Sequence, residues 1–342
     1  MNFIVISLKK NFLTIIFLSF IACLLIFSNS NLNAAQNGIL LWANSVLPTL
    51  FPFFIATELL YKTNFVTILG TLLTKFMRPI FNIPGESAIA VLLGNISGYP
   101  IGAKLACNLK ENKICTKIEA ERIIAFTNNS GPLFILGTIG VSMFCNREIG
   151  LLLLATHFLS SITVGIIFRY WKKNKQTLYN KVSKNLKNES NISVLNLGEI
   201  LGDSIKNSIN LVLTIGGFIV LFSVIISILE KIGIIDNISN FLNLFGLPKE
   251  HSKAILYGFL ELTNGLQISS SLQAKDLSTN IIISAFILGF GGISVLLQVY
   301  SIISKHGISI KPYLYGKILQ AFISAFYTFL ALQAFPFLAF PI

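Results

Sequence analysis

Apolar and polar positions along this chain fall into long blocks. Residues 11–28, 29–57, 123–146, 149–168, 207–229, 277–304 and 318–342 contain no Asp, Glu, Lys or Arg. Roughly 20 apolar residues carry a helix across a bilayer, so most of these runs are long enough to cross one. Period-2 alternation is absent, which excludes an outer-membrane barrel. The pattern predicts an all-α fold, a polytopic helical membrane protein.

Helix breakers interrupt several of the runs. A first helix is expected over 11–28, uncleaved because Asn33-Ala34-Ala35 is a poor cleavage site. A second, about 38–61, carries Pro48 and Pro52. Over 64–82, Phe65, Leu69, Leu72, Phe76 and Ile80 share one stripe and Lys75 and Arg78 another, the pattern of an interfacial amphipathic helix. Residues 86–109 hold Gly94, Gly98, Pro100 and Gly102 within a run too short to cross comfortably, and read as a re-entrant hairpin. Residues 120–145 cross but break at Thr127–Pro132, and 149–170 cross back. The second part of the chain repeats the plan: a span over 204–229, an amphipathic stretch over 233–246, a hairpin over 250–275 around Glu261–Gly265, a span over 278–303 broken at Gly289–Gly292, and a last span over 311–335.

Charge then orients the chain. With the N-terminus and the basic 172–200 segment inside, 21 of the 26 Lys and Arg are cytoplasmic, Arg122 and Lys317 among them, as the positive-inside rule favours. Residue 36 and the C-terminus then lie outside. The halves share an F-x-(I/L)-P-x-E signature at Phe81–Glu86 and Phe245–Glu250. Ala125-Phe126 and Ala285-Phe286 each precede a break. The expected organisation is an N-terminal helix over 1–36, a first transporter repeat over 37–171, a basic cytoplasmic linker over 172–200 and a second repeat over 201–342. The second repeat enters from the opposite side, so the two are inverted. Inverted repeats with broken helices are the pattern of secondary transporters, with the site where the breaks meet.

Composition agrees. The chain is 54% hydrophobic and 12% charged, with a mean hydropathy of +0.74. Soluble domains carry about 25% charged residues. The net charge of +12 suits loops facing anionic lipid headgroups better than nucleic acid. Cys23, Cys107, Cys115 and Cys145 make no C-x-x-C pair and the three His are scattered, so no metal, cofactor or redox site is indicated. No nucleophile–base pair appears, so an enzyme is not expected.

Three segments carry a resemblance: Gly98-Tyr99-Pro100-Ile101-Gly102-Ala103-Lys104, Glu119-Ala120-Glu121-Arg122 and Phe126-Thr127-Asn128-Asn129-Ser130-Gly131-Pro132-Leu133-Phe134. With Leu47-Pro48-x-Leu50-x-Pro52-Phe53-Phe54 and Met77-Arg78-Pro79, the chain from about Gly38 onward resembles the YlbJ (SpoVV) family of sporulation integral membrane proteins. The resemblance is specific in the first repeat and looser in the second. It implies a protein of endospore-forming bacteria, made in the mother cell and placed in the outer forespore membrane. It also implies a nucleoside recognition, or gate, domain. The transport it implies is of dipicolinic acid from the mother cell toward the forespore.

The candidate substrate residues are Asn95, Ser97, Gly98, Tyr99, Gly102 and Lys104 in the first hairpin. Thr127, Asn128, Asn129 and Ser130 form a second group, and Thr263, Asn264 and Gly265 a third. Polar side chains at membrane depth are costly unless paired, although Gly and Pro also serve a tight turn and one Asn could cap a half-helix. Dipicolinate is a dianion and needs donors and positive ends, which half-helix N-termini supply. Lys104 either adds a full charge or snorkels to the surface. Glu261 either carries a coupling proton or cation or caps a half-helix. Glu58 and Lys62 suit an i,i+4 pair, and His157 reads as packing. A nucleoside-like solute is an alternative substrate, and a membrane scaffold for cortex or coat assembly is the alternative of a different class.

Overall fold

The computed structural model describes residues 2–63, 65–172, 197–272 and 277–335. Among them the regular structure is all helical. Five helices are long and apolar enough to cross a membrane: Ser28–Leu60, Arg147–Phe168, Leu197–Lys231, Leu277–His306 and Lys311–Ala334. Their outward faces carry large apolar side chains, among them Leu159, Ile166, Leu213, Phe322 and Phe326. A bilayer covers such a face, whereas water would not tolerate it over so long a surface.

The N-terminal part departs from expectation. Helix α1 (Asn2–Ile26) is followed after one residue by α2 (Ser28–Leu41), so residues 29–37 form no loop between two crossing helices. The segment is polar, but it contains neither Gly nor Pro before Gly38, and nothing in it stops a helix. The Asn31 side chain donates to the Cys23 carbonyl across the kink at 3.0 Å. A wide, π-type turn follows at Trp42–Val46, then α3 (Leu47–Tyr61). The expected interruption at Pro48 thus falls one turn earlier. Proline has no N–H for the carbonyl four residues before it, and the turn widens there. Thr49 Oγ1 donates to the Ser45 and Val46 carbonyls at 2.9 and 3.0 Å.

Amphipathic α4 (Phe65–Phe81) leads to the first hairpin, α5 (Ala88–Ile96) and α6 (Ile101–Glu111). Helix α7 (Lys117–Thr127) starts at a capping box between Thr116 and Glu119. It stops at Asn128 and resumes as a wide helical segment over Phe134–Met143, and α8 (Arg147–Phe168) returns. Residues 173–196, most of the basic linker, lie outside the described residues. Then come α9 (Leu197–Lys231), amphipathic α10 (Ile234–Asn243) and the second hairpin, α11 (Lys249–Leu260) and α12 (Leu262–Ser271). The broken span α13 (Leu277–Phe290) and α14 (Gly292–Ile303) and the last helix α15 (Lys311–Ala334) complete the fold. The two halves therefore carry the same succession of elements.

Packing places these parts. Helix α9 runs antiparallel to α2–α3: Gly38 lies against Val220 and Ser223, Trp42 Nε1 donates to the Val212 carbonyl at 3.1 Å, and Lys62 pairs with Asp203 at 3.6 Å. The expected Glu58–Lys62 pair does not form, because these helices turn Lys62 toward α9 and Glu58 toward Lys104. Helices α13, α15 and α8 pack closely together. Buried charge ties the ends of α4, α7 and α8. The Arg122 guanidinium, 0% exposed, donates to the carbonyls of Trp171 and Asn82. Glu119 pairs with Arg78 at 2.6 Å, and Glu121 with Lys172 at 2.8 Å. Arg122 is thus no surface charge of the cytoplasmic loops.

Candidate substrate site

The first hairpin closes on the first broken helix through glycine. A β-carbon at Gly94 would stand 2.1 Å from the Thr127 carbonyl oxygen, and one at Gly102 would stand 2.3 Å from it. Helices α5 and α6 thus both lie against that carbonyl, and only glycine permits the approach. The tip, Ser97–Pro100, turns through Gly98 at φ +85° and touches Gly131. The hydroxyls of Ser97 and Thr57 hydrogen-bond, tying the tip to α3.

The second hairpin breaks more sharply. Glu261 alone leaves helical geometry, and its carboxylate accepts from the Asn264 backbone N–H at 2.9 Å and from Thr263 Oγ1 at 3.3 Å, capping α12. Asn264 Nδ2 donates to Ser223 Oγ on α9 at 3.3 Å, and Gly265 packs directly on Gly258 of α11. The break between α13 and α14 lies beside the first hairpin. Tyr99 donates its hydroxyl to the Leu288 carbonyl at 3.2 Å. A β-carbon on Gly291 would be 3.0 Å from that hydroxyl.

Three of the breaks, the two hairpin turns and the first broken helix, border one cavity of about 50 Å³. Gly98, Tyr99, Ser130 and Gly131 reach it from the first repeat, and Glu261, Leu262 and Thr263 from the second. Val295 and Gln298 of α14 close it, with Val46, Leu50, Phe134, Ile215 and Ile219 as apolar wall. It holds a few waters at most; a pocket for an organic ligand has about 300–1,000 Å³. A second cavity of about 480 Å³ adjoins it, lined by Lys104, Asn108, Asn207, Asn210, Thr214, Ser301, Lys305 and His306 among others. Ile215 and Gln298 border both cavities.

The remaining candidates pack behind the cavity. Asn129, fully buried, donates through Nδ2 to Asn95 Oδ1, the Phe126 carbonyl and Ser161 Oγ at 2.7–2.9 Å. Its Oδ1 accepts from Lys317 Nζ at 2.9 Å and Gln320 Nε2 at 2.8 Å. Asn128 Nδ2 donates to the Tyr313 hydroxyl at 3.3 Å, and Thr127 Oγ1 to the Ile123 carbonyl at 2.8 Å. Lys104 lines the larger cavity and is paired with Glu58. His157 does more than fill space: its Nε2 accepts from the Ser130 backbone N–H at 3.3 Å, within the break.

Lys317 is the residue that sequence reasoning misplaced. The charge pattern put it at the cytoplasmic surface, yet it is 1% exposed. A signal existed: Tyr313, Lys317, Gln320, Ser324 and Thr328 recur every three or four residues along α15, and all are buried. Among the described residues no group of His, Cys, Asp and Glu could hold a metal ion.

Short helices paired as hairpins, with broken spans beside them, define a multi-pass helical membrane protein. The Gate family, described as nucleoside recognition, matches residues 43–170 and 212–309. The sporulation integral membrane protein YlbJ of Bacillus subtilis (strain 168) is 37% identical over 331 residues, covering 92% of this chain and 80% of that one. The chain belongs to the YlbJ family of sporulation integral membrane proteins, which carry the Gate domain. It is a multi-pass membrane protein, and its family is not an enzyme family. No solved structure matches it.

Proposed function

We propose that this protein is a secondary transporter of a small anionic metabolite, dipicolinic acid foremost. It would act in the outer forespore membrane of sporulating cells, moving the acid from the mother cell toward the forespore. The observation that carries this reading is the convergence of three helix breaks on one cavity, which α14 of the fourth broken span closes. Broken helices expose backbone N–H and C=O groups that lipid cannot satisfy, so they persist where they line a cavity or are buried in protein. The antiparallel packing of α2–α3 on α9, each the long helix that opens its half, supports a first repeat over 37–171 and an inverted second over 201–342.

The larger cavity is the cytoplasmic antechamber in this reading, since Lys104, Lys305 and His306 stand on the positive side. A solute passes Gln298 and Ile215 to reach the breaks, and the central cavity widens to take it. Ser130 and the backbone around Gly98 and Gly131 supply donors from one repeat, with the Tyr99 ring as a wall, and Thr263 faces the solute from the other. Asn95, Asn128 and Asn129 hold the break in register, with Ser97, Gly102, Thr127, Asn264 and Gly265 behind them. Glu261 is the carboxylate at the cavity and the coupling group, taking up a proton or a cation as the anion enters.

Deleting the gene and measuring dipicolinic acid in mother cells and spores tests the reading. Acid trapped in the mother cell is the expected result. Normal spore acid with a nucleoside accumulating instead would favour a nucleoside-like solute, which the Gate description suggests. Normal levels of both, with defective cortex or coat, would favour a scaffold.

A further inference from the structure

The Lys317 ammonium has an unusual setting. It donates to two amide oxygens, Asn129 Oδ1 at 2.9 Å and Gln320 Oε1 at 2.8 Å. It stands 5.1 Å from the centroid of the Tyr99 ring and 5.9 Å from that of Tyr313. Among the described residues no carboxylate pairs with it. A buried ammonium is costly without compensation. Amide oxygens and aromatic faces favour its cationic form and bring no negative charge of their own.

We propose that Lys317 is the fixed counter-charge of the transport site, making the central cavity prefer an anion, and a dianion most of all. This inference rests on the transporter reading above. Tyr99 is the link, for it takes the ammonium on its ring and also lines the cavity. Its hydroxyl is anchored on Leu288, so the ring keeps its place between the two. In a water-poor site a charge acts over such a distance far more strongly than in bulk solvent. Lys317 is a specificity-determining residue that does not touch the solute. Glu261 lines the same cavity; in the reading above it takes up a proton or a cation as the anion enters, so the field of Lys317 then acts unopposed.

The test is uptake into inverted vesicles of dipicolinate, a dianion, picolinate, a monoanion, and uridine, which is neutral. Wild type, Lys317→Arg, Lys317→Gln and Gln320→Glu are compared at matched protein amounts, with melting measured in detergent. Lys317→Gln should raise the half-saturation concentration for dipicolinate about tenfold or more. Because the Coulomb energy is proportional to solute charge, dipicolinate should lose roughly the square of the factor that picolinate loses. Uridine should not change, and Lys317→Arg should keep the wild-type order. Gln320→Glu sets a carboxylate against the ammonium and should weaken dianion preference with Lys317 still present, which keeps the test decisive if Lys317→Gln does not fold. Unchanged preference among the three solutes in a folded Lys317→Gln or Gln320→Glu protein overturns the proposal. Equal loss of all three overturns it too, because Lys317 is then only structural. Wild-type uptake of uridine and of neither anion overturns the anion-transport reading itself and favours a nucleoside-like solute.

Discussion

Replacing Gly102 by Ala adds one methyl group where two elements of the site touch. The new β-carbon would sit 2.3 Å from the Thr127 oxygen, 2.7 Å from the Thr127 carbonyl carbon and 3.0 Å from the Asn128 α-carbon. All three are backbone atoms, so no side chain can swing aside. Normal carbon contacts lie near 3.5–4.0 Å, so α6 must retreat by about 1 Å from the break. Overpacking of this kind costs about 1–3 kcal/mol. The tip of the hairpin carries Gly98 and Tyr99 to the cavity, and a shift of that size withdraws them from Ser130 and Gly131. We expect Gly102→Ala to reach the membrane, to melt at a lower temperature in detergent and to lose most dipicolinate uptake. Gly202→Ala in α9 is the matched control: its β-carbon meets nothing within 4 Å. Alanine is favoured over glycine inside a helix by about 0.5–1 kcal/mol, so that variant should be as stable as wild type or more so. Equal melting and equal uptake in the two variants would refute the close-approach argument and release the first hairpin from the mechanism.

Gly98→Leu should abolish uptake while the protein still reaches the membrane, because residue 98 turns at positive φ; normal uptake would mean that the tip takes no part. Asn129→Ala removes one of the two acceptors of Lys317 and the donor to Asn95 and Ser161, so it should lower stability by about 1–3 kcal/mol and raise the dipicolinate half-saturation point about tenfold. Asn128→Ala loses a single 3.3 Å bond to Tyr313 and should do less; the reverse order of the two would count against the network. Glu261→Gln keeps a cap on α12 but cannot take up a proton, so it should abolish the pH dependence of uptake while solute exchange persists; pH dependence like that of wild type would exclude Glu261 as the coupling group. A single thiol at residue 180 should react from the cytoplasmic side and one near the C-terminus from outside, and reaction of the 180 probe only from outside would refute the orientation. Lys253 and Lys249 of α11 hold the exposed Asp236 carboxyl of α10 below its ordinary value. That contribution is present at neutral pH and disappears as pH falls through and below the carboxylate range, so amide exchange in α10 should quicken only there.

Much of the architecture was legible because membrane insertion imposes one-dimensional rules. A span must be long, apolar and hydrogen-bonded within itself. Charge-free runs therefore marked α8, α9 and α15, and Gly and Pro marked both hairpins and both broken spans. The glycines at 94, 98 and 102 announced a close approach, although their partner, the Thr127 carbonyl, lies in another helix. Residues 29–37 misled for a related reason: Asn and Ser lower the apolar signal without stopping a helix.

The site was legible only in part. Composition named Tyr99, Ser130, Glu261 and Thr263 as polar groups in breaks, and the folded chain places them on one cavity. Composition could not distinguish them from Asn128 and Asn129, which lie behind the wall, because depth relative to a cavity is a property of packing. Charges were the least legible feature. A lysine near a helix end reads the same whether it snorkels or turns inward, and the positive-inside rule assigned Lys317 and Arg122 to the surface. The sequence alone determined that this chain enters a membrane and where most of its helices break, since each depends on local hydrophobicity and hydrogen bonding along one segment. Only the tertiary structure decided that Glu58 pairs with Lys104, that Asn129 joins α7 to α15 and that Lys317 turns toward Tyr99. Such pairings depend on which helices come to lie side by side, and side chains 46 to 218 positions apart leave no shared periodicity to read.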